Sequence, residues 1–257
     1  MRKSGMHIPS KWVKTKVLLK HSQIKPYIPK TRIMTKSALY AMLKQYRMVY
    51  VKPIAGSFGL GVIRVERVSG RDSTAKYRYQ KGTKVRTFRD YDSMYNSLLK
   101  TKSRILYIAQ RGIELLKYQN RRFDIRVMVQ KDPRGQWEAT GVIGRQAQAK
   151  KIVTNFHNGG KPLPLSVLLK PHLHSDGRMA AYTRKLKSLG IRISKAMNKT
   201  YPKMNMIGID VGVGKDLKPW IIEVNTNPDP YIFNKLKDKS IYRKMYRYAR
   251  RLGRRVR

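Results

Sequence analysis

Apolar and polar positions along the chain predict a mixed α+β fold. Residues 11–22 (KWVKTKVLLKHS) carry Trp12, Val13, Val17, Leu18 and Leu19 at the spacing of an amphipathic helix. A proline-punctuated loop (IKPYIPKTRIMT) then runs into a short strand, and residues 37–45 form a helix with Ser37 as N-cap. Strands at 48–54 and 62–68 flank the Gly-rich turn AGSFGLG and read as a hairpin. Short strand-like stretches follow, then a helix at 91–101 and an apolar strand at 105–113 that ends near Gln110. Residues 123–130 and 137–147 alternate apolar and polar, with a turn at 132–135. Residues 157–165 read as a loop. Residues 175–198 are helical, with Met179, Leu186, Leu189 and Ile193 on one side. Strands at 206–213 and 219–225 are joined by a turn at 214–218, and TNPDPYIF is a loop. A basic helix closes the chain over 235–252, with Ile241, Met245, Tyr248 and Leu252 as its stripe. No repeat or low-complexity linker interrupts this order, and the strands pair antiparallel rather than in βαβ units.

Composition narrows the class. A chain of 257 residues, 41% of them hydrophobic, holds one large domain or two small ones and excludes intrinsic disorder. The absence of Cys excludes disulfides, Cys-ligated zinc and thiol chemistry. No apolar run is long enough to span a bilayer, and the N-terminus lacks the apolar core of a secretory signal, so a cytoplasmic protein is expected.

Charge changes the picture more. Lys and Arg number 58 against 14 acids, a formal charge of +44. Residues 1–65 hold 14 bases and no acid, and residues 231–257 hold 11 bases with Asp238 alone opposing them. Such a field attracts polyanions: nucleic acid, anionic cell-wall polymer, acidic peptide or polyphosphate. A salty or acidic working environment is the other reading. With acids so scarce, each carboxylate is expected to have a structural or chemical job.

Four constellations carry candidate chemistry. Lys52 ends a strand before the Gly-rich loop, where small residues let backbone N–H groups close over phosphates; a tight hairpin turn is the alternative. Glu223 and Asn225 share one face of a strand, and Asp210 can face them across the hairpin. Two carboxylates and an amide suit Mg²⁺ carrying nucleotide phosphates, and a Lys or Arg partner would satisfy the same carboxylates. Asp124-x-Arg126, Arg145 and Asn155 place two guanidiniums where phosphate or carboxylate groups can be gripped, although a strand Arg is ordinarily solvated. The strand reaching Gln110 offers backbone groups to an adenine edge, or is simply a buried strand. His157, His172 and His174 lack metal-ligand spacing and read as surface or loop residues.

The series VKPIAGSFGLG, YIAQRGIEL, FDIRVMVQ, GVIGRQ, Asn155, GIDVGV and WIIEVNTNP resembles the ATP-grasp superfamily, in detail its YheC/YheD group of endospore coat-associated proteins. The resemblance covers about residues 8–235. It implies two α+β subdomains gripping ATP, one at about 37–113 with a Gly-rich lid and one at about 114–235 with a Mg²⁺ site, followed by a basic C-terminal helix or tail at 236–257. It implies Lys11 and Lys52 on the ATP phosphates and a lid of Gly56, Ser57, Phe58, Gly59 and Gly61. Ile108, Gln110, Arg111 and Gly112 would lie along the adenine, with Asn155 near the phosphates. Arg126 and Arg145 would be catalytic, and Asp210, Glu223 and Asn225 would hold Mg²⁺ or Mn²⁺. The implied reaction is an ADP-forming carboxylate–amine ligation through an acyl-phosphate, on an anionic peptide or polymer. Spore association comes with the same resemblance. A nucleotide-binding coat protein and a basic polyanion binder are the competing readings. The N-terminal domain that often precedes this fold is expected to be missing, which makes a homodimer worth testing.

Overall fold

The computed structural model describes residues 6–69 and 75–253. Helix α1 (Lys11–Leu19) opens the chain, capped by Ser10, whose hydroxyl accepts from Val13 N at 3.2 Å. Strand β1 (Thr31–Ile33) and helix α2 (Lys36–Tyr46) follow. The cap of α2 is Thr35, which accepts from Ala38 N, rather than the expected Ser37; Thr35 has the extended φ/ψ that a cap needs. Then come β2 (Met48–Pro53), β3 (Ile63–Ser69), β4 (Ala75–Lys81), β5 (Lys84–Phe88), α3 (Tyr91–Thr101) and β6 (Tyr107–Arg111). These strands form one antiparallel sheet in the order β1-β6-β2-β3-β4-β5. Val49, Val51, Ile63 and Val65 face α2 and α3, where they pack with Leu39, Leu43, Met94 and Leu98. By the pleat, Tyr50 and Lys52 face the other way.

The second sheet starts with the short β7 (Lys117–Tyr118), then β8 (Arg121–Lys131) and β9 (Trp137–Gln146). The stretch read as a loop at 157–165 contains a further strand, β10 (Lys161–Leu163), and runs into α4 (Leu165–Leu173), a helix the periodicity missed. Pro162, Pro164 and Pro171 hid both, although Pro162 lies on an edge strand, where an absent N–H costs little. Helix α5 (Asp176–Thr200), β11 (Met206–Val213), β12 (Pro219–Asn225) and α6 (Ser240–Arg251) complete the chain, with a 3₁₀ turn at Pro230–Lys235 where a loop was expected. The sheet order is β10-β9-β8-β11-β12. Phe123, Ile125, Val127 and Val129 of β8 pack with Leu186, Leu189 and Ile193 of α5.

The opposite face of this sheet is divided. Its far end, with Met128, Ile143 and Met206, is covered by Phe233 of the 3₁₀ turn and by Met245 and Ala249 of α6. Gln130 ties the helix down: its amide donates to Met245 O at 3.1 Å and accepts from Thr140 at 2.7 Å. A Cβ on Gly141 would meet Met245, Ile241 and Phe233, so α6 sits directly on β9. The C-terminal helix is therefore part of the second lobe, and its buried stripe runs through Met245 and Ala249 rather than Tyr248. Tyr248 instead donates to Glu138 at 2.8 Å. Met245→Ala is expected to cost about 2–4 kcal/mol through the cavity it leaves, read as a lower urea midpoint. The near end of the same sheet face is left open and carries Asp124, Arg126, Arg145 and Asp210. Residues 254–257, the end of the expected basic tail, lie outside the described residues.

Candidate functional site

The polar inner faces of the two sheets oppose each other across a half-open cleft. Strand alternation places its groups: Tyr50 and Lys52 from β2, Asp124 from β8, Asp210 from β11 and Glu223 from β12. Asp210 pairs with Glu223 across β11–β12, and a bulge follows at Asp210/Val211. Bulges re-aim side chains where a site is built. Asn225 lies one pleat on, its Nδ2 at 3.4 Å from Asp210.

Charge is organised in two layers. Beneath the floor, Arg145 donates to both oxygens of Asp124 at 2.8 and 2.6 Å and reaches Asp210 at 3.0 Å. Arg126 bonds Asp210 at 2.5 Å, and Thr154 donates to Asp124 at 2.6 Å. Burial alone would push the Asp210 carboxyl up; the two guanidiniums overcome it and hold it at about 2. Burial likewise disfavours charge on Arg145, but Asp124 and Asp210 more than compensate and raise it further above its ordinary value.

Above that layer are lysines. Lys11 Nζ donates to Gly56 O at 2.8 Å and stands 3.6 Å from Glu223. Lys52 Nζ donates to Gln110 Oε1 at 2.6 Å. Burial lowers Lys52 to about 8, against the pull of Glu223. Lys14, one turn along α1 from Lys11, is also buried and lowered to about 8 by desolvation, with Glu223 opposing and Lys11 reinforcing the shift.

Of the expected phosphate-side residues, Lys11, Lys52, Gly56, Ser57, Gly59 and Asn155 line the cleft. Phe58 points outward and is 49% exposed, though its carbonyl accepts from Asn158. Gly61, at φ +72°, backs onto Pro53 and Tyr107. The Gly-rich loop touches the second lobe: a Cβ on Gly59 would stand 2.7 Å from Asn155 Oδ1. Gln80 Nε2 adds a bond to Lys150 O at 2.7 Å. Of the expected adenine-side residues, Gln110 and Arg111 also line the cleft. The Gln110 amide is committed to Lys52 and Thr31, and the N–H groups of Arg111 and Gly112 to Lys30 O and Met48 O. Gly112 packs on Met48, and Ile108 opens onto a smaller neighbouring pocket with Lys14 and Leu18. The apolar wall of the cleft is made by Ile113, Leu115, Ile152 and Ile222. Arg126 and Arg145, expected to face a transferred group, turn their guanidiniums to Asp210 and Asp124.

Lys14 was legible but overlooked: with Val17 and Leu18 it falls at i, i+3 and i+4, on the buried stripe of α1. Arg111 also gained a role the sequence did not show. Its guanidinium lies 5.1 Å from the rings of both Tyr46 and Trp220, bridging the two lobes.

The profile of the family described as YheC/D like ATP-grasp matches residues 4–252. The chain belongs to the YheC/D-like ATP-grasp family. Two curated relatives from Bacillus subtilis (strain 168) are similar to it. Endospore coat-associated protein YheD is 24% identical over 228 residues, 88% of this chain and 49% of that protein. Endospore coat-associated protein YheC is 23% identical over 225 residues, 87% and 61% respectively. The chain thus spans about half to three-fifths of the relatives it matches. The two antiparallel sheets facing across a cleft are the ATP-grasp architecture expected from the motifs.

For this YheC/D-like chain the donor set bears on the metal that ATP-grasp folds generally use. No three carboxylate or His groups cluster among the described residues, so a metal caged by protein alone does not fit. Two carboxylates and an amide, with Glu223 partly exposed and 3.6 Å from Lys11, do fit a Mg²⁺ shared with phosphate oxygens. No helix among the described residues is long and apolar enough to cross a membrane.

Proposed function

We propose that this chain binds Mg-ATP between its two sheets and is an ATP-dependent carboxylate–amine ligase working through an acyl-phosphate on an anionic substrate. The observation that carries this is the charge of the cleft. In and around the cleft, Lys11, Lys14, Lys52, Arg111, Arg126 and Arg145 stand against Asp124, Asp210 and Glu223, an excess of three positive charges in a half-buried site. An anionic triphosphate neutralises it.

Asp210, Glu223 and Asn225 would hold Mg²⁺, which supplies charge neutralisation on the triphosphate. Lys52 and Lys11 would take phosphate oxygens, and Ile222 and Leu115 the base. The Gly-rich loop, already resting on Asn155, would exclude water. The substrate carboxylate attacks the γ-phosphorus, the bond to the β-γ bridging oxygen breaks, and ADP leaves. An amine then attacks the acyl carbon, loses a proton and expels phosphate. Arg126 and Arg145, pre-oriented by their carboxylates, would lend positive potential to the transferred group.

The test is calorimetric titration of Mg-ATP at raised salt, because a +44 protein collects ATP nonspecifically at low ionic strength. Glu223→Gln is expected to weaken saturable, Mg²⁺-dependent binding by about tenfold or more. Binding indifferent to both Mg²⁺ and Glu223 would sink the reading. ADP release that requires an added acid and amine then separates a ligase from a nucleotide-binding coat protein. The double capping of Asp210 by arginines favours that second reading, and the relatives' coat association supports a spore-associated setting for either.

Proton linkage gives an independent check. Phosphates beside Lys14 and Lys52 would stabilise their charged forms and move both upward from about 8. The complex is expected to take up protons near pH 8–8.5, seen as binding enthalpies that differ between two buffers of different ionisation heat. Affinity should fall as pH rises beyond 8.

A further inference from the structure

All the described carboxylates but Asp176 are bonded to a backbone N–H, a hydroxyl or a cation. Asp90, Asp132, Asp216, Asp229 and Asp238 accept from backbone N–H groups, and the rest pair with Lys or Arg. Those five carboxylates stay ionised, but with 14 acids against 58 bases most surface Lys and Arg have no carboxylate to pair with.

Helix α6 concentrates them. It holds Arg243, Lys244, Arg247, Arg250 and Arg251 in 12 residues with no acid. Lys244 is spent on Glu138. The four arginines are exposed, and none forms an ion pair with a described carboxylate; only Asp238, already bonded to Ser240, stands near Arg243. Arg243, Arg247 and Arg251 follow one another at single-turn intervals, about 6 Å along the axis. Tyrosines lie between them. Tyr242 packs partly against the core; its ring is 6.1 Å from that of Tyr246, over which Arg250 stands at 5.8 Å. At the end of the helix, Tyr248, Leu252, Pro133 and Asp132, whose Oδ1 accepts from the N–H groups of Arg134 and Gln136, line a groove flanked by Lys131 and Arg251.

We propose that the outer face of α6, with this groove, is a binding strip for single-stranded nucleic acid. Arginine forks suit phosphates, and tyrosine faces stack bases of any sequence. A purely carboxylate polymer would use the arginines and leave the rings idle. A bilayer surface would need large exposed apolar side chains on the helix, and α6 has none: Met245 is buried and Ile241 packs against the core. Helix α5 is also basic, but its exposed bases include Lys185, Lys187 and Lys195, and its one Tyr, Tyr182, is buried. The strip lies beyond the cleft on the part of the sheet that α6 covers, so it is independent of the nucleotide reading.

The experiment is fluorescence anisotropy of a labelled oligothymidylate against salt. Arg243→Ser/Arg247→Ser/Arg250→Ser is expected to lose about tenfold or more in affinity and to flatten the log–log salt slope by about 2. Tyr246→Ala should weaken binding about tenfold with the slope unchanged. Lys185→Ser/Lys187→Ser/Lys195→Ser removes equal charge from α5 and should change affinity far less; Glu223→Gln should leave it intact. Equal losses from the α5 and α6 triples would overturn the proposal and leave only the general field. So would indifference to Tyr246→Ala, or polyglutamate or anionic vesicles competing as well as the oligonucleotide. Thermal melts confirm that each variant is folded.

Discussion

Arg145→Leu should destabilise the fold by about 3–5 kcal/mol, because it strips the shared partner from two buried carboxylates at once. Arg145 makes two bonds to Asp124 and one contact to Asp210, and all three groups are almost fully buried. Asp210 keeps Arg126, whereas Asp124 keeps only the Thr154 hydroxyl. Adding Asp124→Leu should therefore recover part of the loss. The comparison is made from urea midpoints at constant slope, and a single variant as stable as the wild type would refute this account. The same cluster gives an acid limb. Asp210 sits at about 2 when folded against 3.8 as its ordinary value. Its ionised form thus stabilises the fold above pH 3.8, and that contribution fades as pH falls through 2.

Lys52→Met should act in opposite directions on stability and on binding. The Lys52 ammonium is buried, and its fall from 10.5 to about 8 records the free energy of holding it there. At neutral pH this is roughly 1–3 kcal/mol that an unbranched apolar side chain of similar length would not incur, less the bond lost by Gln110. The variant should melt higher while ATP affinity falls by about a hundredfold or more. In the wild type the penalty has a signature in pH. The unfolded chain binds more protons than the folded one between about 8 and 10.5, so stability should climb across that window and the variant should flatten the climb. A variant that melts lower and still binds ATP would place Lys52 among ordinary structural residues.

Much of this was legible from alternation. Strands β2, β8, β11 and β12 announce themselves because one face of each is apolar throughout, and the carboxylates and Lys52 stand out against it. Position along a strand was therefore readable, whereas partnership was not. Nothing in the spacing distinguishes a carboxylate awaiting a metal from one already capped by Arg126 and Arg145, since those residues are brought together by strand register. Gln110 shows the same limit: its side chain binds Lys52 and Thr31, which lie 58 and 79 residues away. Helix α4 was hidden by prolines at Pro164 and Pro171, whereas α6 was legible as a helix, with Met245 but not Ala249 in its expected stripe.

Strand β8 serves three surroundings at once. Its odd positions feed the core beneath α5, while its even positions supply first the cleft and then the seat of α6. Substitutions at single sites can be absorbed, but a one-residue insertion or deletion between 121 and 131 would exchange the two sets, placing Asp124 and Arg126 in hydrocarbon and Ile125 in the cleft. Among relatives of this chain, length variation should therefore be excluded from β8 and appear instead in turns such as 82–83 and 132–136, so the spacing from Asp124 to Gln130 should drift more slowly than the identities of the residues between them.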